Sequence, residues 1–114
     1  MLTHPFKGSL FENMMIAEYV KRMYHQNRIQ DIWFWRDSAG HEVDLLVQEL
    51  LNLNLVEFKA THTIMPDLFK GLSYFEKESK KDNITKTLVY AGAEYQYRSN
   101  ANVMPWFDFG KKGL

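Results

Sequence analysis

The chain is expected to fold as an α/β protein, with a mixed central β-sheet flanked by helices. Three observations lead there. An apolar stripe with a near-helical period opens the sequence. Three short β-like runs follow it. A second helix-like segment then separates those runs from a fourth. The order helix, three strands, helix, one or more strands suits a sheet held between helices.

The first element runs from about Ser9 to Gln26. Leu10, Phe11, Met14, Met15, Tyr19, Val20, Met23 and Tyr24 recur close to every 3.6 residues. Ser9 is a plausible N-cap, and Glu12, three residues on, completes a capping-box pattern. Ile32 to Arg36 reads as a strand, and Asp37-Ser38-Ala39-Gly40 as a turn. Glu42 to Val47 and Leu53 to Ala60 are the next two strands. Their continuous apolar stretches suggest strands buried on both faces. A second helix is expected from Pro66 to Lys80, with Pro66 suited to its first turn. Thr85 to Ala91 reads as a fourth strand. Glu94 to Arg98 and Asn102 to Phe107 read as short strands around a Ser99-Asn100 turn.

Composition narrows the class. At 114 residues the chain suits one domain, taken as 1–114, and is too short for two ordinary ones. Its hydrophobic content of 46% is enough for a real core. There is no cysteine, so a disulfide scaffold and thiolate metal sites are excluded, in keeping with a reducing compartment. No apolar run is long enough to span a bilayer, and Thr3, His4 and Lys7 interrupt any signal-peptide core. A cytoplasmic protein with no membrane partner is the expectation. Lys plus Arg and Asp plus Glu both number 14, so the whole molecule carries no electrostatic footprint for nucleic acid. The local groups Lys77, Lys80, Lys81, Lys86 and Lys111, Lys112 read as solvated faces.

Chemistry is concentrated in two strings, Glu42-Val43-Asp44-Leu45-Leu46-Val47 and Leu55-Val56-Glu57-Phe58-Lys59. With a two-residue period, Glu42, Asp44 and Leu46 share one face, and Glu57 and Lys59 share one too. Paired strands would bring Asp44 to Glu57 and Lys59. Two carboxylates about 4 Å apart repel by roughly 4 kcal/mol at an effective dielectric near 20. A divalent cation removes that conflict, and hard oxygen ligands suit Mg²⁺ or Mn²⁺. Lys59 would orient a water or meet charge growing on a phosphate. Cross-strand ion pairing, which needs no cofactor, is the competing reading. Glu12 is either a further acidic ligand or simply the capping-box glutamate. Glu78-Ser79-Lys80 repeats the Glu-x-Lys spacing in a polar helix end and reads as exposed charge.

An acid in the first helix, an Asp in a hairpin and Glu-x-Lys on the next strand resemble the signature of the PD-(D/E)XK nuclease superfamily. Gly8-Ser9-Leu10-Phe11-Glu12-Asn13, Phe34-Trp35-Arg36-Asp37, Gly40-His41-Glu42-Val43-Asp44-Leu45-Leu46 and Val56-Glu57-Phe58-Lys59 extend the likeness. In that order they resemble the C-terminal domain of a group of bacterial and archaeal AAA-type ATPases. The resemblance implies a restriction-endonuclease-like core and a Mg²⁺- or Mn²⁺-dependent phosphodiesterase acting on nucleic acid. It carries Glu12, Asp44 and Glu57 onto acidic, metal-binding positions, and Lys59, with Asp44 and Glu57, onto the catalytic ones. DNA and an AAA-type ATPase are the implied partners. The alternative is a non-catalytic nucleic-acid- or protein-binding module of the same fold. Arg36 and Glu42 are expected to pair structurally, and His62 to be a surface residue. No phosphate loop is present, and only seven residues precede the Gly8 segment. The ATPase part and upstream elements of such a family are thus expected to be missing. Self-association is one way to cover apolar surface that this would leave.

Overall fold

The computed structural model describes residues 4–114, with side chains from Leu10 onward. Its elements in chain order are α1 (His4–His25), β1 (Ile32–Arg36), β2 (Glu42–Glu49), β3 (Asn52–Lys59), α2 (Lys70–Ser79), β4 (Ile84–Tyr90), β5 (Gln96–Tyr97), β6 (Asn102–Pro105) and α3 (Trp106–Lys112). One sheet of six strands, ordered β1-β2-β3-β4-β6-β5, forms the centre. β1, β2 and β3 pair antiparallel; β3–β4 and β4–β6 are parallel; β5 closes the far edge antiparallel to β6. The expected mixed sheet between helices is therefore present.

Each face carries its own core. Leu53, Leu55, Leu88, Tyr90 and Val103 point to the α2 side and pack with Phe69 and Leu72. Leu45, Val47, Val56, Phe58 and Val89 point the other way, against Met15, Tyr19 and Met23 of α1 and Phe109 of α3. The central strands are thus buried on both faces, as their unbroken apolar runs require. The long connection from β3 to β4 is the crossover that a parallel pair needs, and α2 fills it.

Helix α1 departs from expectation at its start. It is already helical at His4 and runs through Ser9, so Ser9 is not an N-cap and no acid lies in the first turn. Pro5, in that first turn, suits the position. The capping-box explanation of Glu12 is therefore withdrawn. At the other end Asn27 is left-handed (φ 59°), and Arg28 N–H donates to Met23 O at 2.8 Å. This is a Schellman-type closure.

The last helix was hidden. Asn102–Phe107 read as strand, but β6 stops at Pro105 and Trp106 opens α3. The aromatics of Trp-Phe-Asp-Phe imitate a strand in composition, whereas tertiary packing decides the helix. Phe109 stacks on Tyr19 at 5.2 Å and meets the edge of Phe58 at 5.2 Å. Arg22 on α1 donates to Gly110 O at 2.8 Å, holding the C-terminal carbonyls of α3. Gly113 follows with φ 69°, and a Cβ there would lie 3.1 Å from the Tyr19 ring.

The β2–β3 hairpin has a two-residue tip, Leu50-Leu51, between the paired Glu49 and Asn52. Leu50 is left-handed (φ 55°) and almost wholly exposed, so a glycine-favouring conformation is borne by an unpacked leucine. Strand β1 lies at the sheet edge with Trp33 and Phe34 exposed. Among the described residues, no helix is long and apolar enough to cross a membrane. Phe109→Ala should destabilise the fold by about 3–5 kcal/mol, read by urea denaturation, since it removes the ring that joins α3 to both α1 and β3.

Candidate active site

Asp44 and Glu57 sit on neighbouring strands of one hairpin. The β2–β3 ladder is registered as far as Leu45↔Val56. Beyond that pair, Phe58 N–H is accepted by the Asp44 carboxylate, Oδ2, at 2.9 Å. A side chain thus takes over where the strand-to-strand ladder ends. The cause lies in β2. Between Trp33↔Leu46 and Trp35↔Val43, three steps on β2 oppose two on β1. That bulge also moves Val43 into the α2-side core with Leu46, although Leu45 and Val47 belong to the other face. The unbroken alternation expected for Glu42, Asp44 and Leu46 therefore fails at this point. Bulges commonly re-aim a side chain and end pairing, and here the re-aimed group is Asp44.

Glu57 is only 4% exposed, in the middle of β3. Its Oε1 is buried with no hydrogen-bonding partner among the described residues. Its Oε2 lies 3.6 Å from Lys59 Nζ. The Asp44 carboxyl is within hydrogen-bonding reach of Glu57. Burial, and next the Asp44 charge, push Glu57 from its ordinary 4.5 up to about 8, against the pull of Lys59. Burial likewise raises Asp44, opposed by the Phe58 N–H bond and by Lys59. The pair thus keeps a proton well into the neutral range. Burial pulls Lys59 down, but Glu57, Asp44 and Glu12 together outweigh it, and the ammonium is held above its ordinary value.

Glu12 approaches from α1. Burial, and then the Asp44 charge, raise it to about 7, while Lys59 draws it down. It therefore belongs to the same electrostatic cluster. Even so, among the described residues no group of three or more His, Cys, Asp or Glu side chains is arranged to hold a metal ion. Among the described residues the hairpin brings two candidate ligands together, Asp44 and Glu57. Such a set fits Mg²⁺ or Mn²⁺, because Mg²⁺ is commonly held by one or two carboxylates and keeps several waters. The unsatisfied Oε1 is the direct sign of fit: a buried carboxylate oxygen lacks the positive partner it needs.

Gly71, in the first turn of α2, covers this oxygen. A Cβ there would stand 3.1 Å from Glu57 Oε1 and 2.5 Å from Glu42 O. Only glycine lets the helix come this close. A cleft of about 210 Å³ opens beside it, lined by Glu57, Lys59, Gly71, Lys70, Asp67 and His41 among others. A second, of about 280 Å³, adjoins Asp44, Glu42 and Arg36.

Arg36 and Glu42 pair as expected, with Nη2 to Oε2 at 2.8 Å. His62 is exposed, as expected for a surface residue. Lys86 is not free surface charge; it pairs with Glu76 at 2.7 Å. Sequence reasoning gave no role to His41, Lys70 or Gly71. His41 stands in the string Gly-His-Glu-Val-Asp and was open to notice. Lys70 and Gly71 carry no local signal and are recognised only once α2 is placed.

The fold and the buried acid pair with its lysine define an α/β domain with an ionisable centre at the end of a hairpin. The family to which the chain belongs is DUF4143, a domain of unknown function, whose model matches residues 7–109. Neither the comparison with curated proteins nor that with solved structures gives a match.

Two outcomes test this centre. The raised carboxyl makes the folded state bind more protons than the unfolded state between about pH 4.5 and 8. Its contribution to stability is complete below 4.5 and is lost as pH rises through about 8. Without divalent cations the melting temperature should therefore fall over that window. At pH 8, Glu57→Gln should raise it by more than about 5 °C. Gly71→Ala normally favours a helix by up to about 1 kcal/mol. Here it should instead destabilise by roughly 1–3 kcal/mol in urea titration, because the methyl group strikes Glu42 O.

Proposed function

We propose that this domain is a divalent-cation-dependent phosphodiesterase of the nuclease type, acting on nucleic acid. Asp44 and Glu57 hold Mg²⁺ or Mn²⁺, Glu12 assists them from α1, and Lys59 acts on the attacking water. The observation that carries the reading is the buried, partnerless Glu57 Oε1 beside a second carboxyl and a lysine. Structural ion pairing alone would satisfy that atom. When bound, the cation neutralises phosphate charge and lowers the pKa of a coordinated water.

The chain's own residues supply the rest. Phe58 N–H fixes one oxygen of Asp44, so this carboxylate presents a set orientation. Lys59 is tied to Glu57 and keeps its proton, which suits it to orient a water or steady charge on a phosphoryl oxygen. Gly71 shields the inner oxygen of Glu57 from bulk water while leaving room in the adjoining cleft. DNA is the proposed substrate, and the likeness of the four motifs makes an AAA-type ATPase the proposed protein partner.

A second reading is a binding module without catalysis. Two observations favour it: among the described residues no group of three or more His, Cys, Asp or Glu side chains is set to hold a metal, and the chain has no net charge to gather phosphates. Calorimetry with Mn²⁺ separates the readings. Saturable binding at millimolar concentrations or better is expected, with Asp44→Ala weakening it by more than about tenfold and removing DNA cleavage. Nucleic-acid binding without cleavage, unchanged in Glu57→Gln, would select the second reading. No cation binding at all would end the first.

A further inference from the structure

We propose that the cleft between the β1–β2 turn and the start of α2 receives a phosphate of the nucleic-acid strand, contacted by His41 and Lys70 beside Lys59. The inference rests on the phosphodiesterase reading and names where the substrate strand lies.

The first ground is how firmly the His41 ring is held. Asp37 Oδ2 is 3.0 Å from His41 Nδ1. The same carboxylate is fixed through Oδ1, which accepts the backbone N–H of Ala39 at 3.1 Å and of His41 at 2.8 Å. Tyr74, from α2, lies flat on the imidazole, with centroids 3.7 Å apart and planes 5° from parallel. An edge contact and a face contact together fix both position and plane. Such ordering lowers the entropic cost of a later contact. Only Nδ1 is used. Nε2 has no hydrogen-bonding partner among the described residues.

The second ground is what the ring lines. The cleft of about 210 Å³ includes His41, Lys59 and Lys70, with Glu57 at its inner side. One water's share of liquid volume is about 30 Å³, so a phosphate with its waters fits. Lys59 is committed to Glu57, whereas Lys70 is exposed at the rim. The acids around the cleft are Glu57, Glu42 and Asp67. Glu42 is tied to Arg36 and Glu57 to Lys59. In its imidazolium form His41 offers Nε2–H, and Lys70 offers an ammonium. A phosphodiester oxygen is the acceptor that suits both.

The bland alternative is that Asp37 and Tyr74 merely stiffen a hairpin turn. Two substitutions at one position separate the roles. In His41→Asn the amide can replace Nδ1 towards Asp37 but nothing replaces Nε2. In His41→Gln an amide nitrogen reaches the place of Nε2. The full chain would be titrated with a fluorescein-labelled single-stranded oligodeoxynucleotide in Ca²⁺, at about pH 6. Anisotropy would be followed over a series of NaCl concentrations, with thermal melts as the folding control.

His41→Asn should weaken binding by about tenfold, and His41→Gln should recover most of that loss. Lys70→Ala should lower the slope of log K against log salt by about 0.7, the value of one lost phosphate contact on a single strand. A turn-stiffening role would leave that slope alone. Wild-type slopes and affinities in His41→Asn and Lys70→Ala would overturn the proposal. So would equal loss in the Asn and Gln variants, or no oligonucleotide binding by the wild type. Displacement of the strand by millimolar inorganic phosphate would make the free anion the ligand and overturn the strand assignment. Because Mn²⁺ binding is measured separately, cation binding with unchanged slopes would sink this inference alone, and the converse pattern would sink the metal reading alone.

Discussion

A carboxylate oxygen kept from water and from every described donor is the constraint around which this domain is arranged. Burying a charge without a partner costs far more than a surface ion pair returns. Glu57 meets the difficulty partly by retaining a proton and partly by leaning on Lys59. Neither response supplies Oε1. The surroundings keep the difficulty in place rather than relieve it: a bulge turns a second carboxyl towards the first, and a helix closes over Glu57 through a glycine. Stability alone would favour an apolar residue at position 57, since well-packed hydrophobic replacements of buried charge are often neutral or better.

The scaffold explains how such a group is tolerated. β3 is bonded to β2 on one side and to β4 on the other, and each face of the sheet has its own apolar layer. The backbone of the strand is thus held by ladders on both sides, with the Asp44 carboxylate taking over at Phe58, while one side-chain oxygen is left without a partner among the described residues. Order in the main chain and tension in the side chain coexist within a few ångströms. That combination is typical of positions where local strain is held by the surrounding structure.

Much of this was legible in the residues, and the failures have physical causes. The four long strands and both long helices follow from periodicity and from turn residues. Glu57 and Lys59 share a face by strand alternation, and the pairing of neighbouring strands was enough to expect Asp44 beside them and Arg36 beside Glu42, although the bulge and not alternation aims Asp44. The bulge was not readable, because no glycine or proline marks it in Val43-Asp44-Leu45; it is a product of pairing with β1. The start of α1 was misread because a local capping pattern at Ser9 competed with upstream helix that extends past it. Helix α3 was misread because four aromatic-rich residues satisfy two periods equally, and only Tyr19, Arg22 and Phe58 decide between them. The cover over Glu57 lay beyond reach for a simpler reason: Gly71 is fourteen positions away and owes its importance to where a helix lands.

The two-residue tip of the β2–β3 hairpin has a consequence for a centre that lies several residues from it. Asp44 and Glu57 are carried on opposite arms of that hairpin, so their meeting is set by the length of the connection at Leu50-Leu51. Inserting one residue there would slide one arm against the other by a single step. A step in a strand reverses which side every chain member looks to. Asp44 and Glu57 would then no longer meet. The meeting of this acid pair is therefore metered by a loop of two residues.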